Sequence, residues 1–258
     1  MTTNPSSAPR LTGRHALVTG STSGIGRSIA MALAREGATV VVSGRNKEAG
    51  DRVVQAIRTP GGVAHFVRAD LAEGGRAAGH LAHAAVERLG GPVNVLVNNA
   101  ALLIPAQSLT GVDEQMADMA LAVNVKAPAL LTAALVPAMI ETGGGVVVNV
   151  GSINGAIGMS VAALYGATKA ALHSLTASWA AELAAKGIRV NAVAPGPTMT
   201  EENAAFHEML RDYAAASPDG RPGTSSEVAD AVVFLASDEA AHIHGVILPV
   251  DGGYLAAR

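Results

Sequence analysis

Seven short apolar runs, most of them built on valine, punctuate the chain and leave room for a helix between each and the next. They are HALVTG (15–20), ATVVVSG (38–44), VAHFVRAD (63–70), VNVLVNNA (93–100), GVVVNVGS (145–152), IRVNAVAPG (188–196) and GVILPVDGG (245–253). The first six read as apolar on both faces, the pattern of strands buried in a parallel sheet between two layers of helices. The stretches between the runs predict helices at roughly 24–36, 46–58, 73–89, 113–140, 163–185 and 225–236. Alternation of strand and helix along the chain argues one doubly wound α/β domain over 11–258, a parallel sheet of about seven strands with helices on both faces.

The rhythm breaks at 197–224, PTMTEENAAFHEMLRDYAAASPDGRPGT, where an inserted helix and loop are expected to cover a site at the carboxyl edge of the sheet. Residues 1–10 are polar and rich in Pro and Ser, and are expected to form a flexible tail and not a signal peptide. No uninterrupted apolar run approaches the roughly 18 residues of a membrane span, so no membrane partner is expected and the protein is read as soluble and cytoplasmic. With 18 basic against 21 acidic residues and no basic stripe, nucleic acid is not an expected partner. The absence of cysteine removes disulfides, thiol nucleophiles and thiolate metal sites. His242 and His244 sit two apart near the C-terminus, and His65, His80 and His83 do not make up a ligand set with a partnered carboxylate, so no metal is expected.

Four motifs carry chemistry. In VTGSTSGIGRSIA (18–30), Gly20, Gly24 and Gly26 follow the first strand and open the first helix, where a tight turn lets backbone approach a pyrophosphate. The spacing departs from the usual G-x-G-x-x-G, and a purely structural turn is the competing reading. After the second strand, where an acid would hold ribose hydroxyls, stand Gly44 and Arg45. A guanidinium there pairs with a 2′-phosphate and favours NADP(H); the alternative is that Arg45 solvates the loop or stacks on adenine, with NAD(H) possible. The third motif is VNVLVNNAA (93–101). In the fourth, Ser152 ends a strand, Tyr165 follows thirteen residues on, and Lys169 stands four beyond Tyr165, on the same helical face.

TGSTSGIG, NNAA, YGATK and VNAVAPGPTMT, in this order, resemble the motifs of the short-chain dehydrogenase/reductase family, single-domain branch of about 250 residues, from Leu11 to Tyr254. The resemblance implies a Rossmann-like fold and a catalytic tetrad of Asn124, Ser152, Tyr165 and Lys169. In it Tyr165 is the acid and base, Ser152 polarises the substrate oxygen, Lys169 tunes the phenol and holds the nicotinamide ribose, and Asn124 anchors a water. Implied cofactor contacts are Gly20, Ser21, Ser23, Gly24, Ile25 and Gly26 at the pyrophosphate, Arg45 at the adenosine ribose, Asp70 and Leu71 near adenine, Asn98 and Ala100 beside the ribose, and Pro195, Gly196, Thr198 and Thr200 at the nicotinamide.

Ala101 stands where the family motif has glycine, and is strained if that position needs φ > 0. Substrate is expected between Ala101–Ala106, Asn154–Ser160 and a flap from Met199 to about Ser217. Leu102, Leu103, Ile104, Ile157, Met159, Met199 and Phe206 there suggest a small or medium apolar ketone or secondary alcohol. The helix bearing Trp179 resembles the family's pairing face, which implies a homotetramer. Against the leading NADP(H)-linked reading stand an NAD-linked catabolic alcohol dehydrogenase with the same tetrad, and a nucleotide-binding sensor or scaffold without catalysis.

Overall fold

Valine-rich, β-branched segments form the strands β1 (His15–Val18), β2 (Thr39–Gly44), β3 (Val63–Arg68), β4 (Val95–Asn98), β5 (Gly145–Val150), β6 (Ile188–Pro195), β7 (Thr198–Met199), β8 (Gly223–Thr224) and β9 (Ile247–Val250). The computed structural model describes residues 8–258, so residues 1–7 of the expected tail lie outside the described residues. Arg10, the last residue of that tail, is held to Glu36 at 2.8 Å.

A seven-stranded parallel sheet runs in the order β3-β2-β1-β4-β5-β6-β9. Chain direction across the sheet reverses between β1 and β4, which opens a crevice at their carboxyl ends. The central strands are buried on both faces, but β3 is not as the sequence pattern suggested. As an edge strand it leaves Val63 and Arg68 exposed. At the other edge β9 accommodates Pro249, which has no N–H to offer a further strand.

The helices are α1 (Gly24–Arg35), α2 (Lys47–Arg58), α3 (Gly75–Leu89), α4 (Glu114–Leu121), α5 (Ala127–Glu141), α6 (Ala163–Leu183), α7 (His207–Ala214) and α8 (Ser225–Ala236). Local chemistry sets their ends. Asn46 caps α2 by accepting from Ala49 N, and Thr224 with Glu227 forms a capping box at α8. The two apolar clusters lie on opposite faces of the sheet. α1, α2 and α8 cover one, and α3, α5 and α6 the other.

A π-helical turn, Ala122–Lys126, joins α4 to α5 in one 28-residue helix that is long and apolar enough to cross a membrane by length and composition. No uninterrupted run in the sequence signalled it, because Asn124 and Lys126 interrupt the apolar residues. Packing accounts for much of that apolarity: Leu131, Leu135 and Met139 belong to the core cluster shared with α3 and the sheet.

Arg189, near the start of β6, is buried and donates to the carbonyls of Leu235 (2.7 Å) and Ser237 (2.8 Å), closing the carboxyl end of α8. Replacing it with Met removes the donor and leaves those acceptors orphaned. The expected loss is about 2 kcal/mol of stability, measurable by urea unfolding; an unchanged midpoint rules out this capping role.

Candidate active site

The carboxyl ends of β1, β4, β5 and β6 carry the predicted residues to one edge of the sheet. Beyond β1, Gly20 (φ 61°) and Gly24 (φ 51°) adopt left-handed backbone that favours glycine. Gly26 is required by contact: a Cβ there would collide with the Gly20 carbonyl and the Asn99 amide. The glycine loop therefore lies directly against the end of β4. Ser23, at the N-cap of α1, makes no side-chain capping bond. Ile25 packs on the core cluster behind the loop.

Several predicted contact residues turn away from the crevice. Ser21 is fully buried; its Oγ donates to Val18 O (2.6 Å) and accepts from Ser43 N (2.9 Å), so it staples the loop to β2 instead of facing a pyrophosphate. Asn98 is also buried, its amide donating to Asn149 Oδ1 (2.9 Å) and Thr132 Oγ1 (3.1 Å) between sheet and α5. The neighbouring Asn99 is the residue that grips the glycine loop, donating to Thr19 O (2.9 Å) and Gly20 O (3.0 Å). Thr198 is buried and spends its hydroxyl on Gly196 O (2.9 Å), folding the turn after β6.

Arg45 is exposed beyond β2 and has no ion-pair partner among the described residues. Gly44 before it leaves room for Thr22, whose Cγ2 would be 2.7 Å from an added Cβ. Asp70 Oδ1 accepts from Ala72 N (3.1 Å) and caps a short turn containing the buried Leu71. Ala100 lies against Gly20, 2.7 Å from a Cβ built there. Pro195 ends β6, and Gly196 passes so close to Asp251 that a Cβ would stand 2.9 Å from its Cα. Thr200 and Glu202 reach back over Gly24, Glu202 Oε2 lying 2.9 Å from a Cβ built on it, while Glu201 pairs with Arg27 of α1 at 3.1 Å.

Ser152 follows β5, and Tyr165 and Lys169 share one face of α6. Ser152 Oγ accepts from Asn154 N (3.2 Å) and lies near enough to the Tyr165 phenol to pull its pKa down. Lys169 is 2% exposed; its Nζ donates to Val150 O (2.8 Å) and stands 5.7 Å from the centre of the Tyr165 ring. Burial pushes the Tyr165 phenol up to about 12, against the opposing pull of the nearby Ser152 hydroxyl. Burial likewise pushes the Lys169 ammonium down to about 8. In the protein alone, then, desolvation dominates the Tyr165 phenol, and the tuning by Lys169 that the family resemblance implies does not offset it.

Lys169 therefore bears a cost of burying charge that is full below pH 8, shrinks as pH rises, and vanishes above the unfolded value of 10.5. The stability of Lys169→Met relative to wild type is expected to be about 3 kcal/mol more favourable at neutral pH than above the unfolded value, on top of a pH-independent loss from the Val150 carbonyl left without its donor. Melting curves of both proteins across this range check the sign; a gain that grows with pH contradicts it.

Asn124 sits in the π-helical turn, 1% exposed. Its Oδ1 accepts from Leu102 N (2.7 Å), and its Nδ2 donates to Leu102 O (3.1 Å) and Thr168 Oγ1 (3.1 Å). The side chain thus ties the loop after β4 to α6, and any water anchored here is left to the main chain. His173, which no motif flagged, sits one turn beyond Lys169, its ring in space left by Gly151 and Gly155.

Ala101 does not have positive φ, so the substitution for glycine carries no backbone strain. Leu103 and Phe206 are exposed, whereas Ile104 lines a small pocket together with Gln107, Leu109, Val112, Val161 and Tyr165. The flap is clipped at its base by parallel pairing of β7 with β8 and steadied by the Tyr213 hydroxyl donating to Met159 Sδ (2.8 Å).

Comparison with known proteins extends over nearly the whole chain. A family model described as enoyl-(acyl carrier protein) reductase matches residues 20–255. Cis-4-hydroxycyclohexanecarboxylate dehydrogenase of Sinomonas cyclohexanicum is 41% identical over 244 residues, 94% of this chain and 97% of that protein. The structure of a 3-oxoacyl (acyl-carrier-protein) reductase from Agrobacterium tumefaciens with NADP bound has a TM-score of 0.90 at 35% identity, covering 96% of each chain. A mutant short-chain dehydrogenase/reductase of Serratia marcescens has a TM-score of 0.89 at 32% identity, covering 95% of this chain and 99% of that one.

Proposed function

The chain belongs to the short-chain dehydrogenase/reductase family and is an oxidoreductase of CH–OH and C=O groups; from that premise we propose that it works with NADP(H) on a small or medium apolar ketone or secondary alcohol. The observation that carries this reading is the grouping of Ser152, Tyr165 and Lys169, with Ser152 beside the phenol and the ammonium 5.7 Å from the ring.

The residues fit a dinucleotide. Gly20, Gly24 and Gly26 bring backbone and the α1 N-terminus close to where a pyrophosphate rests, and Arg45 offers an uncommitted guanidinium to a 2′-phosphate. Glu202 carries the same sign as a pyrophosphate, so it is repelled from Gly24 when the dinucleotide is held. A bound nicotinamide supplies the hydride donor or acceptor.

The protein's own side chains manage the proton. In reduction, Tyr165 Oη gives its proton to the substrate oxygen while Ser152 Oγ donates a hydrogen bond to the same oxygen. In oxidation Tyr165 Oη takes the alcohol proton. A phenol pushed up to about 12 is a strong base but seldom ionised at neutral pH, so positive charge from Lys169 is needed beside it.

The ring alcohol named for the Sinomonas relative and the NADP named for the Agrobacterium structure support the substrate size and the cofactor. A homotetramer rests on family resemblance and on exposed Leu121 and Ile140 of the long helix. The test is the change in nicotinamide absorbance with purified protein, NADPH or NADH, and ketones and secondary alcohols graded from small aliphatic to aryl to steroid. Turnover with NADPH supports the reading, and silence with both cofactors across the panel refutes it.

A further inference from the structure

Resting on that reading of the site, we infer that Gln107 is a specificity residue whose side-chain amide pairs with a second hydroxyl on the substrate. Its Nε2 is buried and has no hydrogen-bond partner among the described residues. Buried amides are nearly always paired, and one left unpaired is an uncommitted donor. Gln107 lines the same small pocket as Tyr165, whose other walls include Ile104, Leu109 and Leu164. In such surroundings an oxygen on the substrate meets few other donors.

The backbone holds Gln107 in place. Its N–H donates to Val161 O at 2.9 Å, bridging the loop after β4 to the segment that leads into Tyr165. Val161 keeps φ at 59°, a conformation that a β-branched residue rarely adopts and that surrounding structure must enforce. Strain and clamp together fix the amide relative to the helix carrying Tyr165. A hydroxyl suits the role because it accepts from the amide N–H and also donates to the amide oxygen.

A site built to pair with a substrate hydroxyl discriminates strongly against the analogue that lacks it. The test compares oxidation of cyclohexanol with that of cis-1,2-, cis-1,3- and cis-1,4-cyclohexanediol by the wild-type protein and by Gln107→Leu. For at least one diol, the wild-type kcat/KM is expected to exceed that for cyclohexanol by about tenfold or more. In Gln107→Leu that ratio falls to about one, chiefly through KM for the diol. Gln107→Met serves if the leucine variant does not fold, and its melting temperature is expected to hold, because an unpaired amide is lost. A wild-type ratio near one for every diol, or a high ratio retained in the variant, overturns the inference while leaving the alcohol reading intact. Failure of the wild type to oxidise any of the four alcohols or reduce any ketone instead refutes the activity on which it rests.

Discussion

Tyr165→Phe is expected to lower kcat by roughly a thousandfold, within the span that a positioned acid or base contributes, while cofactor affinity stays close to wild type. The substitution deletes one oxygen and leaves the ring on α6, so Lys169 keeps its bond to Val150 O and its place beside the ring. What disappears is the group assigned to exchange a proton with the substrate oxygen. Ser152 cannot take its place, because a hydroxyl that polarises an oxygen does not thereby become its acid. Steady-state kinetics on the best substrate, with cofactor titration by fluorescence, separates the two effects. Undiminished turnover in the variant overturns the assignment of Tyr165, and lost cofactor binding shifts it from chemistry to architecture.

Arg45→Asp is expected to lower the preference for NADPH over NADH by about a hundredfold, the worth of a charge-assisted pair lost and a repulsion gained. Arg45 owes nothing to the fold: it is exposed and has no ion-pair partner among the described residues. Its removal is therefore expected to leave stability nearly unchanged, so the effect reads on the cofactor. Aspartate supplies an acceptor for ribose hydroxyls and repels a 2′-phosphate. The ratio of kcat/KM for the two cofactors measures it, and an unchanged ratio means that Arg45 does not read the phosphate and revives the NAD-linked reading.

Most of the architecture was legible because it rests on local patterns. Each apolar run contains its strand to within a few residues, and the expected helix at 225–236 coincides with Ser225–Ala236, where Thr224 and Glu227 announce the start. Edge position was not legible in β3, since its composition matches that of its buried neighbours and only tertiary pairing exposes Val63.

The site was readable wherever a motif fixes a residue by chemistry, as with Ser152, Tyr165 and Lys169. It was less so where adjacent residues compete. In the Asn98–Asn99 pair, side chains of successive strand residues point to opposite sides, and the sequence does not say which amide meets the glycine loop. Ser21 and Thr198 are cofactor contacts only as the family resemblance implies, and the hydroxyls of both satisfy backbone groups nearby. Gln107 and Arg189 gave no signal at all, one because it lies in a loop without a motif, the other because its partners are carbonyls more than 40 residues away.

Asn98, Asn149, Thr132 and Thr176 form a buried chain of amides and hydroxyls from α5 through β4 and β5 to α6, with Asn149 Nδ2 donating to Thr176 Oγ1 at 2.8 Å. Each member's loss strands a neighbour's donor or acceptor in the interior. Divergence at these four positions is therefore epistatic: a lineage that changes one of them is pressed to change its neighbours. They are expected to be inherited as a block, long after the loops that choose a substrate have drifted apart.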